Sequence, residues 1–243
     1  MRLLTLFIFI IKANLFFAVP VAAATAALPD WFLPLREAVY EQQLSADQIF
    51  PIYQNISKIA QENLSGEALN VMLSRSEYMM GRAYQFEGRN QEAADRYSEG
   101  IVFAEKALDI RKSAEAWQML AENISQSCAV RGTAYAMANG LKVERYSKNA
   151  LALNKRNAAA QYMIAARWVY APAPFHNYRR GIDMMTAILT EGDMDKDDRF
   201  NVYSAIGYAL IQQKKHTDAR PWIQRALEIY PTNKYALGLI SQN

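Results

Sequence analysis

The feature that most constrains this chain is a pair of apolar stripes in residues 200–233. Tyr203, Ile206, Gly207 and Leu210 fall at i, i+3, i+4 and i+7, the face a buried helix turns to its neighbour. A polar turn follows at residues 212–217. Ala219, Ile223 and Ala226 then mark a second helix, which Pro231 stops because proline has no N–H to continue the ladder. Gly207 and Ala219 are the informative letters, since two helix backbones come close only where the facing side chains are small. The stretch predicts two antiparallel helices in tight contact.

The same offsets recur upstream. Met80, Gly81, Tyr84, Ala93 and Tyr97 repeat the spacing of Ile206, Gly207, Leu210, Ala219 and Ile223. Trp117, Leu120, Ala121 and Ile124 begin a third copy, but its second-helix letters, Tyr146 and Ala150, arrive about ten residues late. The surplus at residues 127–140 reads as an overrunning helix end plus an inserted loop or short helix. A fourth copy has Ile164, Ala165 and Trp168, then Gly181, Met185 and Ile188. Between its halves, Pro172 and Pro174 forbid helix continuation and favour a stiff, extended turn.

This spacing resembles the tetratricopeptide repeat, whose W-x2-L-G-x2-Y…A-x3-F…P pattern is met here with Tyr203 for Trp, Leu210 for Tyr and Ile223 for Phe. The resemblance implies an all-α protein, a right-handed α-solenoid of about four such helix pairs over residues 74–243. Residues 27–73 would form an extended lead-in and extra helices, and a short last helix at 234–241 would cover the final pair. Ser45 and Gln48 have capping-box spacing for one of those helices, with Pro51 near its start, and Ser65 is placed to cap the next. A composition 51% apolar with only 10 Gly and 8 Pro is what such a chain needs.

Residues 1–26 read as a signal peptide. Arg2 gives the positive start, residues 3–11 are apolar but for Thr5, and Ala24, Thr25 and Ala26 offer small residues for cleavage before Ala27. The expected location is therefore periplasmic or secreted. The alternative is an uncleaved inner-membrane anchor, which Lys12 and Asn14 argue against because spanning needs about 20 mostly apolar residues. Membrane contact is expected only in that alternative.

Several function classes are set aside. Removing residues 1–26 takes Arg2 and Lys12 from 27 basic residues against 24 acidic, so the remainder carries about +1, and nucleic-acid binding gets no electrostatic support. Cys128 is alone, so no internal disulfide can form and no cysteine- and histidine-rich metal cage is spelled out. Asp193, Asp195 and Asp197 alternate like a calcium loop, but Asp198 and Ser204 stand where that loop needs Gly and Glu. The reading there is a solvated turn, with Asp198 capping the next helix. Asn55, Asn63 and Asn123 begin N-x-S sequons inside predicted helices. No phosphate loop, HExxH or G-x-S-x-G is present, so neither an enzyme nor a cofactor is expected.

What remains is binding. The resemblance places the first helix of each pair on the inner face, with Arg75, Tyr78, Arg82 and Gln85, then Glu115, Gln118, Glu122 and Ser125, then Ala159, Tyr162, Ala166 and Val169, then Asn201, Ser204, Tyr208 and Ile211. Arg75 and Arg82 could hold a carboxylate, with Arg82 pairing to Glu122 as the bland alternative, while Tyr78, Tyr162 and Tyr208 suit an interface. The lysine and asparagine clamp that some members use for chaperone tails is absent. The expectation is an exported scaffold that binds a protein or peptide segment on its concave face. A second reading rests on Trp168 and Phe175 around the turn at 170–177. This stretch resembles an insertion in periplasmic repeat proteins associated with TRAP-type solute transporters, which implies a ligand-handling accessory subunit for a small apolar ligand. Packing of both rings into the core is the alternative.

Overall fold

The computed structural model describes residues 28–242, so the proposed signal peptide lies outside the described residues. Among the described residues eleven α-helices follow one 3-10 turn, Asp30–Phe32: α1 (Leu33–Glu41), α2 (Ala46–Asn63), α3 (Gly66–Phe86), α4 (Asn90–Ile110), α5 (Ala114–Val130), α6 (Thr133–Leu153), α7 (Ala158–Tyr170), α8 (Tyr178–Glu191), α9 (Lys196–Gln212), α10 (His216–Ile229) and α11 (Lys234–Ser241). Helices α3–α4, α5–α6, α7–α8 and α9–α10 form the four antiparallel pairs. The first helices stack in a row, α3 beside α5, α5 beside α7 and α7 beside α9, which makes an α-solenoid. Among the described residues no helix is long and apolar enough to cross a membrane.

The small letters do what their positions required. A Cβ added to Gly81 would come within 2.5 Å of the Tyr97 ring, and one added to Gly207 within 2.6 Å of Ile223. Tyr97, Ile223 and Ala219 are fully buried at these crossings. A third crossing carries no repeat signature. Gly100 on α4 faces Asn123 on α5, whose side chain would lie 2.2 Å from an added Cβ, and the Gly100 carbonyl accepts from Ser74 Oγ on α3 at 2.7 Å. Three helices therefore meet over one missing side chain.

Helix ends are set locally. Ser45 and Gln48 form the expected box, Ser45 Oγ accepting from the Gln48 N–H at 3.2 Å and Gln48 Oε1 from the Ser45 N–H at 2.9 Å. The helix starts at Ala46 and tolerates Pro51 inside it. Ser65 stands at the start of α3, but its side chain makes no capping bond. Gly88, at φ +76°, turns the chain between α3 and α4, a conformation that costs glycine little. Cys128 is half-buried on α5.

Three expectations need correction. Residues 127–140 hold no inserted loop: α5 runs to Val130, Gly132 turns the chain, and α6 begins at Thr133. The surplus lengthens α6 at its start, as the alanine-rich run TAYAMAN permits. Residues 28–34 are not extended, because Asp30–Phe32 is a 3-10 turn and Leu33 opens α1 with Pro34 in its first turn, where a missing N–H costs nothing. Asp195, not Asp198, caps α9, with Asp198 completing its box. Nor is that turn wholly solvated, since Asp197 is buried.

Helix α1 has the largest effect on the architecture. Its Phe32-side face, Leu35, Val39 and Tyr40, is buried with Phe200, Ala226 and Tyr230 from the last pair and with Tyr78 and Met79 from the first. The Tyr40 ring stacks on Tyr230 at 4.9 Å and meets Phe200 edge-on at 5.6 Å, while the Arg82 guanidinium lies 5.7 Å from its centre. Polar bonds complete the clasp. Asn233 Nδ2 donates to the Tyr40 carbonyl at 2.8 Å, Thr232 Oγ1 to the Glu41 carbonyl at 2.7 Å, and the Lys234 N–H to Gln42 Oε1 at 2.7 Å. The solenoid's two ends are thus joined through α1. Helix α11 covers the last pair with Ala236 and Leu239.

Candidate functional site

Because α1 lies between the first and last pairs, the inner wall is not one open groove. It carries a polar cavity and an aromatic cluster, and some of the predicted inward residues fall in one or the other.

Arg75, Tyr78, Gln118 and Glu122 line a cavity of about 500 Å³, opposite residues from the α6–α7 turn, the α8–α9 turn and the first turns of α7 and α9. Its walls are fixed by turn chemistry. Asn157 caps α7 through Oδ1 and donates Nδ2 to Gln118 Oε1 at 2.9 Å, and the Asp193 N–H bonds the Arg156 carbonyl while its carboxylate pairs with Arg156 at 2.7 Å. Glu122 is only 8% exposed, yet among the described residues its hydrogen-bond donor is the Gln118 amide at 3.4 Å, and it makes no ion pair within 4 Å. Burial pushes its carboxyl up, against the opposing pull of Arg75. Arg75 Nε is itself buried, with no acceptor among the described residues. The Tyr78 hydroxyl is pushed up to about 12 by burial, in spite of Arg82. Among the described residues no group of three or more His, Cys, Asp or Glu is arranged to hold a metal.

Asp197 ties this cavity to the α1 clasp. Its Oδ1 accepts from the Tyr230 hydroxyl at 2.5 Å and lies 3.6 Å from Arg36 Nε on α1. Burial, then the neighbouring Asp195, raises its carboxyl to about 7, against the Tyr230 hydrogen bond and Arg36. An unfolded aspartate titrates near 4, so between about pH 4 and 7 the fold holds a proton that the unfolded chain releases. Stability from this group is therefore greatest on the acid side and falls as pH rises through about 7. In the full-length chain, urea unfolding is expected to show roughly 2–3 kcal/mol less stability at pH 8 than at pH 5 from this residue. Asp197→Asn keeps an acceptor for Tyr230 and should flatten that slope; an unchanged slope would remove Asp197 as its source.

The aromatic recess lies at the other ends of the inner helices. The hydroxyls of Tyr162 and Tyr170 of α7 and of Tyr235 of α11 lie near enough to influence one another, and the Tyr170 and Tyr208 rings lie 5.2 Å apart. Arg82 NH1 donates to the Tyr78 hydroxyl at 2.9 Å, and its guanidinium lies 4.8 Å from the Phe86 ring. It therefore makes no ion pair with Glu122 but sits among Tyr40, Tyr78 and Phe86. Tyr170 and Tyr235 remain 43% and 39% exposed. Tyr235, Tyr170 and Phe86 were not singled out by spacing: Tyr235 lies beyond the last pair, and Tyr170 ends a helix beside the proline turn.

Trp168 and Phe175 fall in neither place. Trp168 is half-buried, with Arg180 4.0 Å and Arg167 5.2 Å from its ring, while Phe175 is 65% exposed. Of the remaining inward positions, Val169 is buried against Gly181 on α8 instead of lining the wall.

No family model matches this chain, and no curated protein does. Among solved structures it is similar to YrrB, described as a TPR protein with an unusual peptide-binding site, at 15% identity over 84% of this chain and 96% of that one, with a TM-score of 0.38. So distant a likeness bears on neither partner nor mechanism.

Proposed function

We propose that this protein is an exported scaffold that holds an extended segment of a protein partner in the aromatic recess formed by the ends of α3, α7, α9 and α11. The observation that carries this reading is the cluster of Arg82, Phe86, Tyr162, Tyr170, Tyr208 and Tyr235, drawn from four helices and open to solvent. Tyrosine rings offer broad apolar faces at small entropic cost, and their hydroxyls reach backbone carbonyls. Arg82 is already oriented by Tyr78, so less freedom is lost when it donates to a guest. The polar cavity alone would not suit an apolar segment.

A role in handling a small apolar solute would need Trp168 and Phe175 to face a pocket. Trp168 is instead stacked by Arg180, and Phe175 stands exposed in its turn, so segment binding is the better reading. The test is affinity capture from the envelope fraction of the producing cell, with the full-length protein and a triple variant Arg82→Ala, Tyr170→Ala, Tyr235→Ala. The expected result is one partner enriched by the parent and reduced at least tenfold by the triple variant, a loss of about 1.4 kcal/mol or more. Arg75→Ala, in the other compartment, should leave capture unchanged. Equal capture by parent and triple variant would rule the recess out.

A further inference from the structure

Two groups in the polar cavity lack a counter-charge, and they are of opposite sign. Glu122 sits in mid-helix on α5, 8% exposed, with one long bond from the Gln118 amide at 3.4 Å. Arg75, on α3, has its Nε buried with no acceptor among the described residues. Both line the same cavity, and Arg75 stands near enough to pull on the Glu122 carboxyl, yet the two make no ion pair within 4 Å. The other acids of the lining are engaged. Asp193 pairs with Arg156, Asp197 accepts from Tyr230 and lies beside Arg36, and Asp195 and Asp198 accept each other's backbone N–H in the α9 box.

Burying a charge without a partner is costly, and opposite charges held apart leave both costs standing. A single guest that carries both signs relieves the two together and loses its own freedom only once. An ammonium offers Glu122 three N–H donors, and a carboxylate offers the planar Arg75 guanidinium two acceptors. Where both groups sit on one carbon, as in an α-amino acid, they bridge a gap too wide for a direct pair. The cavity, about 500 Å³, has the size of a small-molecule site, roughly 300–1,000 Å³. Its remaining charge bears on the guest's side chain. The lining holds more carboxylates than guanidinium groups, Asp195 and Asp198 among them, so a basic side chain suits it better than an acidic one.

We propose that the polar cavity is a binding site for a free α-amino acid with a basic side chain, its carboxylate held by Arg75 and its α-ammonium by Glu122. This site goes beyond segment binding in the aromatic recess and does not depend on it.

Calorimetric titration of the full-length protein with L-lysine is the test. Saturable binding with a Kd below about 1 mM is expected. Cadaverine, which lacks the carboxylate, and Nα-acetyl-L-lysine, which lacks the α-ammonium, should each bind roughly tenfold or more weakly, as should L-glutamate. These arms use the parent protein, so no folding defect can imitate them. Arg75→Gln and Glu122→Gln, with urea unfolding as the check on their folds, should each weaken L-lysine by roughly tenfold or more. The triple variant of the recess, Arg82→Ala, Tyr170→Ala, Tyr235→Ala, should bind it like the parent. No saturation by L-lysine, or equal binding of cadaverine, Nα-acetyl-L-lysine or L-glutamate, overturns the proposal. Lysine binding that survives both single substitutions overturns it too, and binding lost in the triple variant would place the lysine among the rings instead.

Discussion

Replacing Tyr40 by alanine is expected to cost roughly 3–5 kcal/mol, the range for removing a buried aromatic ring from a core. Tyr40 is 2% exposed and is the centre of the clasp, with Tyr230 stacked on it, Phe200 edge-on and Arg82 over it. Its hydroxyl also accepts from Asn201 Nδ2 at 3.2 Å. The loss should have a particular geography. In a solenoid where each pair touches only its neighbours, a defect at one end is felt locally. Here Tyr40 belongs to the first helix and its partners to the last pair, so amide exchange in α10 and α11 should accelerate together with that in α1. Tyr40→Phe keeps the ring and should cost only about 0.5–1.5 kcal/mol, for one hydrogen bond. Urea unfolding and hydrogen exchange measure both. If Tyr40→Ala left α11 as protected as before, α1 would be an appendage and not a closure.

Gly100→Ala should be the most damaging single-methyl change in the protein. The added Cβ would lie 2.2 Å from Asn123 Oδ1 and 2.6 Å from its Cγ, and Asn123 is fully buried. Its amide donates to Ser74 Oγ at 3.2 Å and to the Met119 carbonyl at 2.9 Å. Moving the side chain breaks bonds that no water can replace, and leaving it forces α4 away from α5. Overpacking and an orphaned amide each cost about 1–3 kcal/mol, so a loss of roughly 2–5 kcal/mol is expected in urea unfolding. Gly140→Ala is the control. Nothing lies within 4 Å of its added Cβ, and the change should stabilise α6 by roughly 0.5–1 kcal/mol. Equal effects at the two positions would mean that the α3–α4–α5 junction is not sterically closed.

The helix pairs were legible because their physics is local and periodic. Gly81, Gly207 and the apolar letters around them sit at fixed offsets within some 20 residues, and the same offsets return in the structure as contacts with Tyr97 and Ile223. Gly100 shows where that reading stops. It touches Asn123 on the next pair, and a between-pair contact leaves no spacing rule within either pair. The clasp was hidden for a stronger reason. Leu35, Val39 and Tyr40 read as one short apolar stripe, but their partners Phe200 and Tyr230 lie far along the chain, and nothing in the stripe specifies which surface it will cover. The same lack hid the division of the inner wall. Spacing put Arg75 and Arg82 on one face of α3, yet Arg75 lines the polar cavity while Arg82 sits among Tyr40 of α1 and Tyr78 and Phe86 of its own helix.

Joining the two ends also sets an order of events during synthesis. A chain built from its N-terminus presents Phe32, Leu35, Val39 and Tyr40 long before Phe200 and Tyr230 exist to cover them. The pairs between can form one after another, each nucleated by neighbours, while the opening helix, already resting on α2 and α3, waits with the part of its face that meets Phe200 and Tyr230 still wet. The last contact made is therefore the one that fastens the outer side of α1, and a nascent or truncated product lacking the final pair would carry a half-sheltered helix that chaperones and proteases can recognise.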